Sequence, residues 1–531
     1  MSPSRLKKVF YENDSLPVKH SIYSQYDGQT IDTIGLNNGW TSVPDSDFGI
    51  PVVLLKVLLI NAPAADIPIA GVDGRRLGLI NIISPPLGTS YIAAVLEKEG
   101  FEVSLCDAQS LRMKLDDIGR SILEFRPDVV GISCFTPNYQ QAREVAELSK
   151  HLLPKAMTVI GGPHVSFTAG QTLRETPSID VVVRGEGEKT MLELVKAIAG
   201  KLPLTGIDGI TYRAKHLIVN NADRAFIDDL DTLPFPARHL WSEKYIKRGM
   251  HEVPILTSRG CPFGCVFCST SKMAGRLFRA RSPANVVDEL QSVVNDYDFN
   301  RFVFNDDTFT LDNKRAIDIC NEIVERGLDI TWACSTRVDS VTPELLSHMS
   351  EAGCNMIYYG IESGNQQILD HFVGKRITIE QAKNAVKLAH DAGITTVASY
   401  IIGFPGERAD KAFELYLKKA EYGRTYEGDL TGTVFETLLC AEEIDSDQAQ
   451  VHLLTPYPGT RAYDEAESLG IKILTTEWWR YNLQLPVIMT NTMSVEDIWS
   501  AFVTYMKEFD TYNSIRYQRR LKHMRREQFN S

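Results

Sequence analysis

Residues 257–270 read TSRGCPFGCVFCST, and they decide what the rest of the chain must be. Cys261, Cys265 and Cys268 fall within eight residues in a CxxxCxxC spacing. A short loop of this kind can wrap three thiolates around one iron–sulfur cubane, and three ligands leave one iron open to an exogenous chelator. Gly260, Pro262 and Gly264 suit a tight loop that brings backbone amides near the sulfurs. Two other readings exist for three clustered cysteines. A zinc site normally takes a fourth protein ligand from a second CxxC or a His pair, and none follows at suitable spacing. Three buried structural cysteines, gathered by chance, are the remaining alternative. The other six, Cys106, Cys134, Cys320, Cys334, Cys354 and Cys440, sit in apolar strand or helix patterns and read as small core residues.

The loop ends a predicted strand, VPILTSRG. Five more strand patterns follow: NRFVFNDD, DITWACSTRV, CNMIYYGIES, TTVASYIIG and QAQVHLLTP, with amphipathic helices between them. Six βα units over residues 251–470 predict a partial or full barrel, in outline (βα)6, whose chemistry belongs at the C-terminal strand ends. Polar residues fall there: Cys261, Asp306, Asp307, Arg337, Glu362 and Ser399.

Upstream, residues 51–200 alternate in the same way. Strand patterns VVLLKVLLINAP, FEVSLCDA, PDVVGISCFT, AMTVIGGPH and SIDVVVRGEGEKT enclose the helical patterns SYIAAVLEKEG, KLDDIGRSILEF and YQQAREVAELSKHL, and TMLELVKAIAG follows. That alternation predicts a Rossmann-like, doubly wound parallel sheet, so the chain is α/β in class. The first loop, NAPAADIP, lacks the GxGxxG of a dinucleotide site. Residues 201–250 hold one hairpin-like strand, IDGITYR, and a Pro-rich stretch, and are expected to be a linker. Residues 1–50 are polar and aperiodic, an irregular arm. Residues 471–531 form a helical cap, with WWRYNLQLP, two helices and a basic end, RYQRRLKHMRR.

The chain has 531 residues, enough for two to four domains of roughly 100–200 residues each. The net charge of −12 argues against a general nucleic-acid binder. The nine cysteines do not resemble a secreted disulfide framework, and MSPSRLKKVFYENDSLPVKHS has no apolar signal core. The longest apolar run, Ile50 to Ile60, is too short to span a bilayer and is broken by Lys56. The expected setting is a reducing cytoplasm.

The Cys loop, together with RARSPANVVDEL, FNDDTFT, STRVDSVTPELL, AGCNMIYYGIESGNQQIL, ASYIIGFPGE and HLLTPYPGT, resembles the radical S-adenosylmethionine (SAM) superfamily in its cobalamin-binding branch. PPLGTSYIAAVLEKEGFEV, PDVVGISCFTPN, VIGGPHVSF and VVVRGEGE resemble the attached B12 domain. The resemblance covers residues 52–470, with the motifs in order, and is nearest to the class B cobalamin-dependent radical SAM methyltransferases. It implies that Cys261, Cys265 and Cys268 bind a [4Fe–4S] cluster whose open iron chelates SAM. It implies Phe267 beside the adenine, Asp307 at the methionine ammonium and Arg337 on the SAM carboxylate, where a guanidinium fork fits. Glu362 and Ser399 would meet the ribose or amino group, and Ile402 and Gly403 would flank the adenine. No residue is assigned as catalytic. In the N-terminal half, cobalamin is implied at three loops: Thr136, Pro137 and Asn138; Gly161 and Gly162; and Gly185, Glu186, Gly187 and Glu188. The DxHxxG motif of methionine-synthase-type domains is absent, and His164, in GGPH, is not expected to ligate cobalt.

The implied reaction is C-methylation of an unactivated sp³ carbon. SAM is cleaved to a 5′-deoxyadenosyl radical, the radical takes hydrogen from the substrate, and methylcobalamin supplies the methyl group. An electron donor such as ferredoxin or flavodoxin is the expected partner. Branch members that cyclise or rearrange lipids, tetrapyrroles or natural products are the alternative, and a non-catalytic cobalamin and cluster module is a third reading. The most specific implication is a protein substrate, a glutamine side chain of methyl-coenzyme M reductase. The stretch 423–446, between GFPGE and the last barrel strand, is longer than the family pattern and reads as a pocket or lid element or as a solvent-side insertion.

Overall fold

The first sheet is built from an apolar run. Val57, Leu58, Leu59 and Ile60 of strand β1 (Lys56–Asn61) are all buried, because a central parallel strand is covered on both faces. The structure, a computed structural model, describes residues 55–65, 84–243, 245, 250, 252–409 and 432–516, and the backbone of 517–528. The arm expected over residues 1–50 lies outside these residues, as does the stretch 410–431.

Strand β1 lies between β2 (Glu102–Asp107) and β3 (Val129–Ser133), and the order continues through β4 (Met157–Gly161) and β5 (Val181–Val183), all parallel. Helices α1 (Leu87–Lys98), α2 (Leu115–Phe125), α3 (Tyr139–Leu152), α4 (Pro163–Glu175) and α5 (Gly187–Ala199) make the crossovers and the flank. The order β2-β1-β3-β4-β5 reverses direction between β1 and β3, and open sheets of this kind bind ligands outside the strand ends at that reversal.

The segment expected as a linker begins instead with two more strands of this sheet. Strands β6 (Ile210–Ala214) and β7 (Leu217–Asn220) form an antiparallel hairpin on β5. Ile210 and Tyr212 are buried, and this apolar alternation gives the hairpin a reason to dock.

The second sheet has six parallel strands, ordered β15-β14-β13-β12-β11-β8. They are β8 (Val253–Ile255), β11 (Arg301–Phe304), β12 (Thr331–Thr336), β13 (Cys354–Glu362), β14 (Thr395–Ile402) and β15 (Gln448–Leu453). All six expected strands are present, in an open partial barrel. The outward residues, such as Phe302, Phe304, Trp332, Ile357, Tyr359, Tyr400 and Val451, are buried under helices. Residues alternating with them, including Asn305, Ser335, Tyr358, Ser399, Gln450 and His452, are half-buried or exposed, so the lumen is an open space rather than a packed core.

Local signals set the helix ends. In α6 (Pro283–Tyr297), Ser282 accepts the Asn285 N–H, Pro283 occupies the first turn, and Asp298 closes the helix in the left-handed region at φ +57°. Helices α7 (Asn313–Glu325), α8 (Pro343–Glu351) and α9 (Ile379–Asp391) complete the next crossovers. The described end of the long 423–446 stretch is the crossover helix α10 (Val434–Ile444). It packs so tightly that a Cβ on Gly364 would lie 2.6 Å from the Thr437 backbone. The C-terminal region is one helix, not two: α11 (Val495–Gln528) follows a two-stranded hairpin of β16 (Ile471–Ile473) and β17 (Ile488–Thr490). Asn513 of α11 accepts the Ala449 N–H at 2.8 Å and donates to the Ala449 carbonyl at 3.1 Å, covering the free edge of β15. Among the described residues no helix is long and apolar enough to cross a membrane.

Candidate active site

After β8 the chain turns into a short strand β9 (Ser258–Arg259), paired antiparallel with β10 (Arg279–Ala280). Gly260 then takes φ +91°, and a Cβ there would collide with the Leu277 carbonyl oxygen, so the turn into the Cys loop requires glycine. The loop is fastened at three points. Cys261 N–H donates to the Gly275 carbonyl at 3.1 Å, Val266 N–H to Val373 at 3.1 Å, and Ala462 N–H to Val266 at 2.9 Å. Val266 is its buried anchor. The three thiols are half-buried and unbridged, and Cys261 and Cys265 each feel the charge of Cys268. Burial pushes Cys265 up to about 11 and raises Cys261 as well. Among the described residues no three His, Cys, Asp or Glu side chains converge as on a single metal ion.

Asp307, beyond the end of β11, lies beside Cys261 and accepts a hydrogen bond from Thr270 Oγ1 at 3.1 Å. Burial raises its pKa. Its neighbour Asp306 is structural: it accepts from Thr257 N–H at 2.7 Å and Ser258 Oγ at 2.6 Å, tying the start of the loop to β11. Phe267 is partly buried against the barrel core, between two of the cysteines in sequence.

Arg337 is placed differently from the expectation. Its guanidinium forms a fork with Asp339 at 2.8 and 2.7 Å, donates to the Lys375 carbonyl at 2.7 Å, and stacks 3.7 Å from the centre of the Phe263 ring. These contacts engage Nε and Nη2, and Nη1 is the donor left for a ligand. The buried Glu362 carries a left-handed backbone at φ +75° where the β13–β14 register slips. It pairs with the buried Lys375 at 2.7 Å, and Gly360 leaves space for both, since a Cβ there would lie 2.7 Å from Nζ. Ser399 faces the lumen half-buried. Ile402 is buried on the outer side, and its carbonyl accepts the Leu454 N–H at 2.9 Å. Gly403 turns at φ +94° and donates to Glu407 at 2.7 Å, and Phe404 N–H donates to the same carboxylate oxygen at 2.9 Å. Glu407 is buried, its second oxygen has no partner, and burial lifts it to about 8 although the two amides pull the other way. Lys375 and Glu407 were missed in the sequence; for Glu407, the position four residues after Gly403 in GFPGE was the available signal.

A cavity of about 560 Å³ opens at the β1/β3 reversal of the first sheet. Its floor is made by Leu59, Gly131 and Met191; a Cβ on Gly131 would lie 2.8 Å from Leu59. Gly161, Gly162, Gly185, Glu186, Gly187 and Glu188 line it as expected. The expected Thr136, Pro137 and Asn138 do not. Thr136 and Asn138 are buried in a 3-10 turn, where Asn138 holds the Phe135 N–H and the Ala62 carbonyl, and Phe135 lines the cavity in their place. Pro85 to Thr89 of the PPLGT stretch also line it. His164 is outside the lining. It is buried against Tyr139 and Trp478, bonds to Thr136 Oγ1 at 3.2 Å, and burial lowers its pKa to about 3, keeping the ring neutral.

The opposite wall of the cavity comes from the barrel: Leu256, Ser258, Arg259, Met273, Ala274, Asn305 and Asp307. Glu186 and Glu188 are therefore more than cavity lining. Arg259 pairs with Glu186 at 3.0 Å and Glu188 at 2.6 Å, and Arg279 pairs with Glu186 at 2.9 Å, all nearly buried. This ionic knot joins the glycine-rich loop of the first domain to the hairpin that leads into the Cys loop.

Residues 80–195 match the B12 binding domain family, and residues 255–417 match the Radical SAM superfamily. An uncharacterized methyltransferase of Pyrococcus horikoshii is 37% identical over 446 residues, covering 84% of this chain and 90% of that protein. An anaerobic magnesium-protoporphyrin IX monomethyl ester cyclase of Rubrivivax gelatinosus is 32% identical over 434 residues, 80% of this chain and 73% of that one. The solved structure of the radical S-adenosylmethionine methyltransferase TsrM from Kitasatospora setae, with cobalamin and [4Fe–4S] cluster bound, superposes with a TM-score of 0.66 at 20% identity, covering 86% of this chain and 88% of that one. At that identity the superposition is a likeness of fold. With both domains matched in order, and relatives of this identity aligned over most of their length, the chain belongs to the cobalamin-dependent radical SAM methyltransferase family.

Proposed function

We propose that the protein methylates an unactivated sp³ carbon, using a [4Fe–4S] cluster on Cys261, Cys265 and Cys268, SAM in the barrel lumen, and cobalamin in the cavity of the first domain. One observation carries the reading: a single cavity is bounded by the strand ends of the B12-type sheet and by Asp307, the residue beside Cys261. The residues fit the groups. Three free, half-buried thiols on one loop suit a cubane, in which each sulfur takes a different iron. In the cavity, Gly185 at φ +70° has nothing within 4 Å of where a Cβ would be, which leaves room for a bulky ring system.

When bound, these groups supply radical generation and a transferable methyl group. The chain's own part is positioning and exclusion. Asp307 is placed to accept the SAM ammonium, and the Glu362–Lys375 pair presents a fixed carboxylate to the lumen side of Cys265. Glu407 holds two consecutive amides of the Gly403 turn and so shapes the edge against which an adenine would lie. The ionic knot keeps the two walls in register, which near-attack geometry demands.

For the substrate we carry the reading of a protein glutamine, as in methyl-coenzyme M reductase. Asn305, Ser335, Ser399 and Gln450 offer uncharged hydrogen-bonding groups to the lumen, which suits a carboxamide better than a carboxylate. A second reading, cyclisation or rearrangement, is favoured by the identity to the protoporphyrin ester cyclase. Product analysis separates them. Anaerobically reconstituted protein with SAM, reductant, methylcobalamin and a glutamine-containing peptide should form S-adenosylhomocysteine and 5′-deoxyadenosine together with a methylated peptide. 5′-Deoxyadenosine without S-adenosylhomocysteine would favour cyclisation, and neither product would refute both.

A further inference from the structure

The backbone around Lys375 is bound to the Cys loop on both sides of Cys265. Before it, the Val373 carbonyl accepts the Val266 N–H at 3.1 Å, next in sequence to that thiol. Lys375 itself offers its carbonyl to Arg337 Nη2 at 2.7 Å, and that guanidinium lies on the ring of Phe263, just upstream of Cys265. The segment arrives through a π-helical turn, Ile368–Val373, closed by the Gly374 N–H on the Leu369 carbonyl at 3.1 Å. Turns of this width are rare and recur at functional sites. Gly374 (φ +71°) and Arg376 (φ +56°) are both left-handed, and the side chain between them is turned inward, leaving Lys375 only 7% exposed. Its Nζ donates to Glu362 Oε1 at 2.7 Å and to the Gly360 carbonyl, and among the described residues its third donor has no partner.

Lysine is almost never fully buried unless it is paired, and this pair is set against one particular thiol. The two charges do not cancel there. The Cys265 thiol feels the Lys375 ammonium more strongly than the Glu362 carboxylate, and Arg337 acts in the same direction as the ammonium. At Cys261 the sign is reversed, because the charge beside it is Asp307. The loop therefore has a cationic side at Cys265. A cubane on three thiolates becomes more anionic when it takes an electron, and in a half-buried place a nearby cation offsets that charge. We propose that the Lys375 ammonium is a fixed charge that favours the reduced state of the cluster on Cys265, with Glu362 as the carboxylate that holds it in place and partly offsets it. This inference rests on the cluster reading above. One electron passes from an external reductant to the cluster, and no bond or proton is exchanged. Lys375 acts through Cys265 and is a positioning residue.

The test is a redox titration of the reconstituted full chain without SAM. Titanium(III) citrate supplies the electrons, the paramagnetic resonance signal of the reduced cluster is followed, and iron and sulfide are measured for each variant. Lys375→Met should lower the equilibrium constant for reduction about tenfold, as expected of one charge about 10 Å away at an effective dielectric of about 20. That is a midpoint potential about 59 mV lower for one electron. Glu362→Gln should raise the potential, and Lys375→Arg, which keeps the charge, should leave the equilibrium within about twofold of wild type. The double variant Lys375→Met, Glu362→Gln should fall between Lys375→Met and wild type, since the ammonium outweighs the carboxylate at Cys265. The shift in Lys375→Met should persist at high salt, because buried charges are screened little. Midpoints of Lys375→Met and Glu362→Gln that both match wild type, or that both move the same way, would overturn the proposal, since a packing defect does not follow the sign of the charge. If Lys375→Met takes up no cluster, Glu362→Gln decides, and a potential that does not rise overturns the proposal. A wild-type chain that takes up no cluster refutes the cluster reading itself, whereas an intact cluster of unchanged potential in the variants refutes only the role of Lys375.

Discussion

Replacing Glu186 by glutamine tests how the two halves of the site are held together. The Glu186 carboxylate receives Arg259 at 3.0 Å, Arg279 at 2.9 Å and the Ile227 N–H at 2.8 Å, and all three side chains are close to fully buried. Removing one partner from a buried ion pair costs about 3–5 kcal/mol, because the opposite charge stays in a poorly solvated place. Glutamine keeps the shape and one acceptor oxygen, and Glu188 still holds Arg259 at 2.6 Å. The expected cost is therefore at the lower end, about 3 kcal/mol, or about a hundredfold in the local opening equilibrium. Hydrogen exchange of the amides at 185–188 and 274–280 reads this directly. The control is Lys196→Met, which breaks the exposed pair with Glu99 and should cost about 1 kcal/mol or less. A loosened interface should also uncouple the chemistry, so that Glu186→Gln still forms 5′-deoxyadenosine but transfers fewer methyl groups per radical. Exchange in Glu186→Gln that matches Lys196→Met would refute the claim that this knot positions the cavity against the Cys loop.

Gly162→Ala should be poorly folded or lose cobalamin binding, since φ is +112° and the new Cβ would collide with the Cys134 carbonyl oxygen, whereas Gly170→Ala, in α4 away from the cavity with only the Arg174 side chain 3.5 Å from the new Cβ, should bind normally; equilibrium dialysis of cobalamin checks both. Cys265→Ser should lose most of the iron and the cluster absorbance after reconstitution, while Cys320→Ser, in the core behind the barrel, should retain them. Glu407 gives a pH prediction. Burial favours its protonated form in the fold and holds it at about 8, so its contribution to stability is full below the ordinary carboxyl range and is lost as pH rises toward 8. Glu407→Gln should flatten that part of the melting-temperature profile, and an unchanged slope would show that the buried carboxyl is not its source.

Much of this arrangement is legible in short stretches of sequence. Cys261 to Cys268, the Gly260 turn before them and the glycines at 162 and 185 are local features: one loop or one strand end carries each, and the positive φ of the three glycines is what asks for that residue type. The strand and helix periods are local too, and they place the two parallel sheets and their helices. Where the reading departs from the structure, a choice among partners is involved. Arg337 has an acidic neighbour, Asp339, two residues away, and the structure engages Nε and Nη2 there, leaving Nη1 as the donor for a ligand. Thr136 and Asn138 follow the right strand, but their side chains are spent on holding the turn, and only Phe135 reaches the cavity.

The sequence by itself thus determined the fold class, the Cys loop, the glycine turns at the strand ends and the order of the two sheets, because these follow from spacing and period within a few residues. Only the tertiary structure decided that Glu186 and Glu188 meet Arg259 and Arg279, between 71 and 93 residues away, and that Asp307 stands where the cavity meets the Cys loop. A charged side chain can pair with any opposite charge that folding brings within reach, and burial, which makes one pairing worth far more than another, is a property of the packed molecule and not of the local chain.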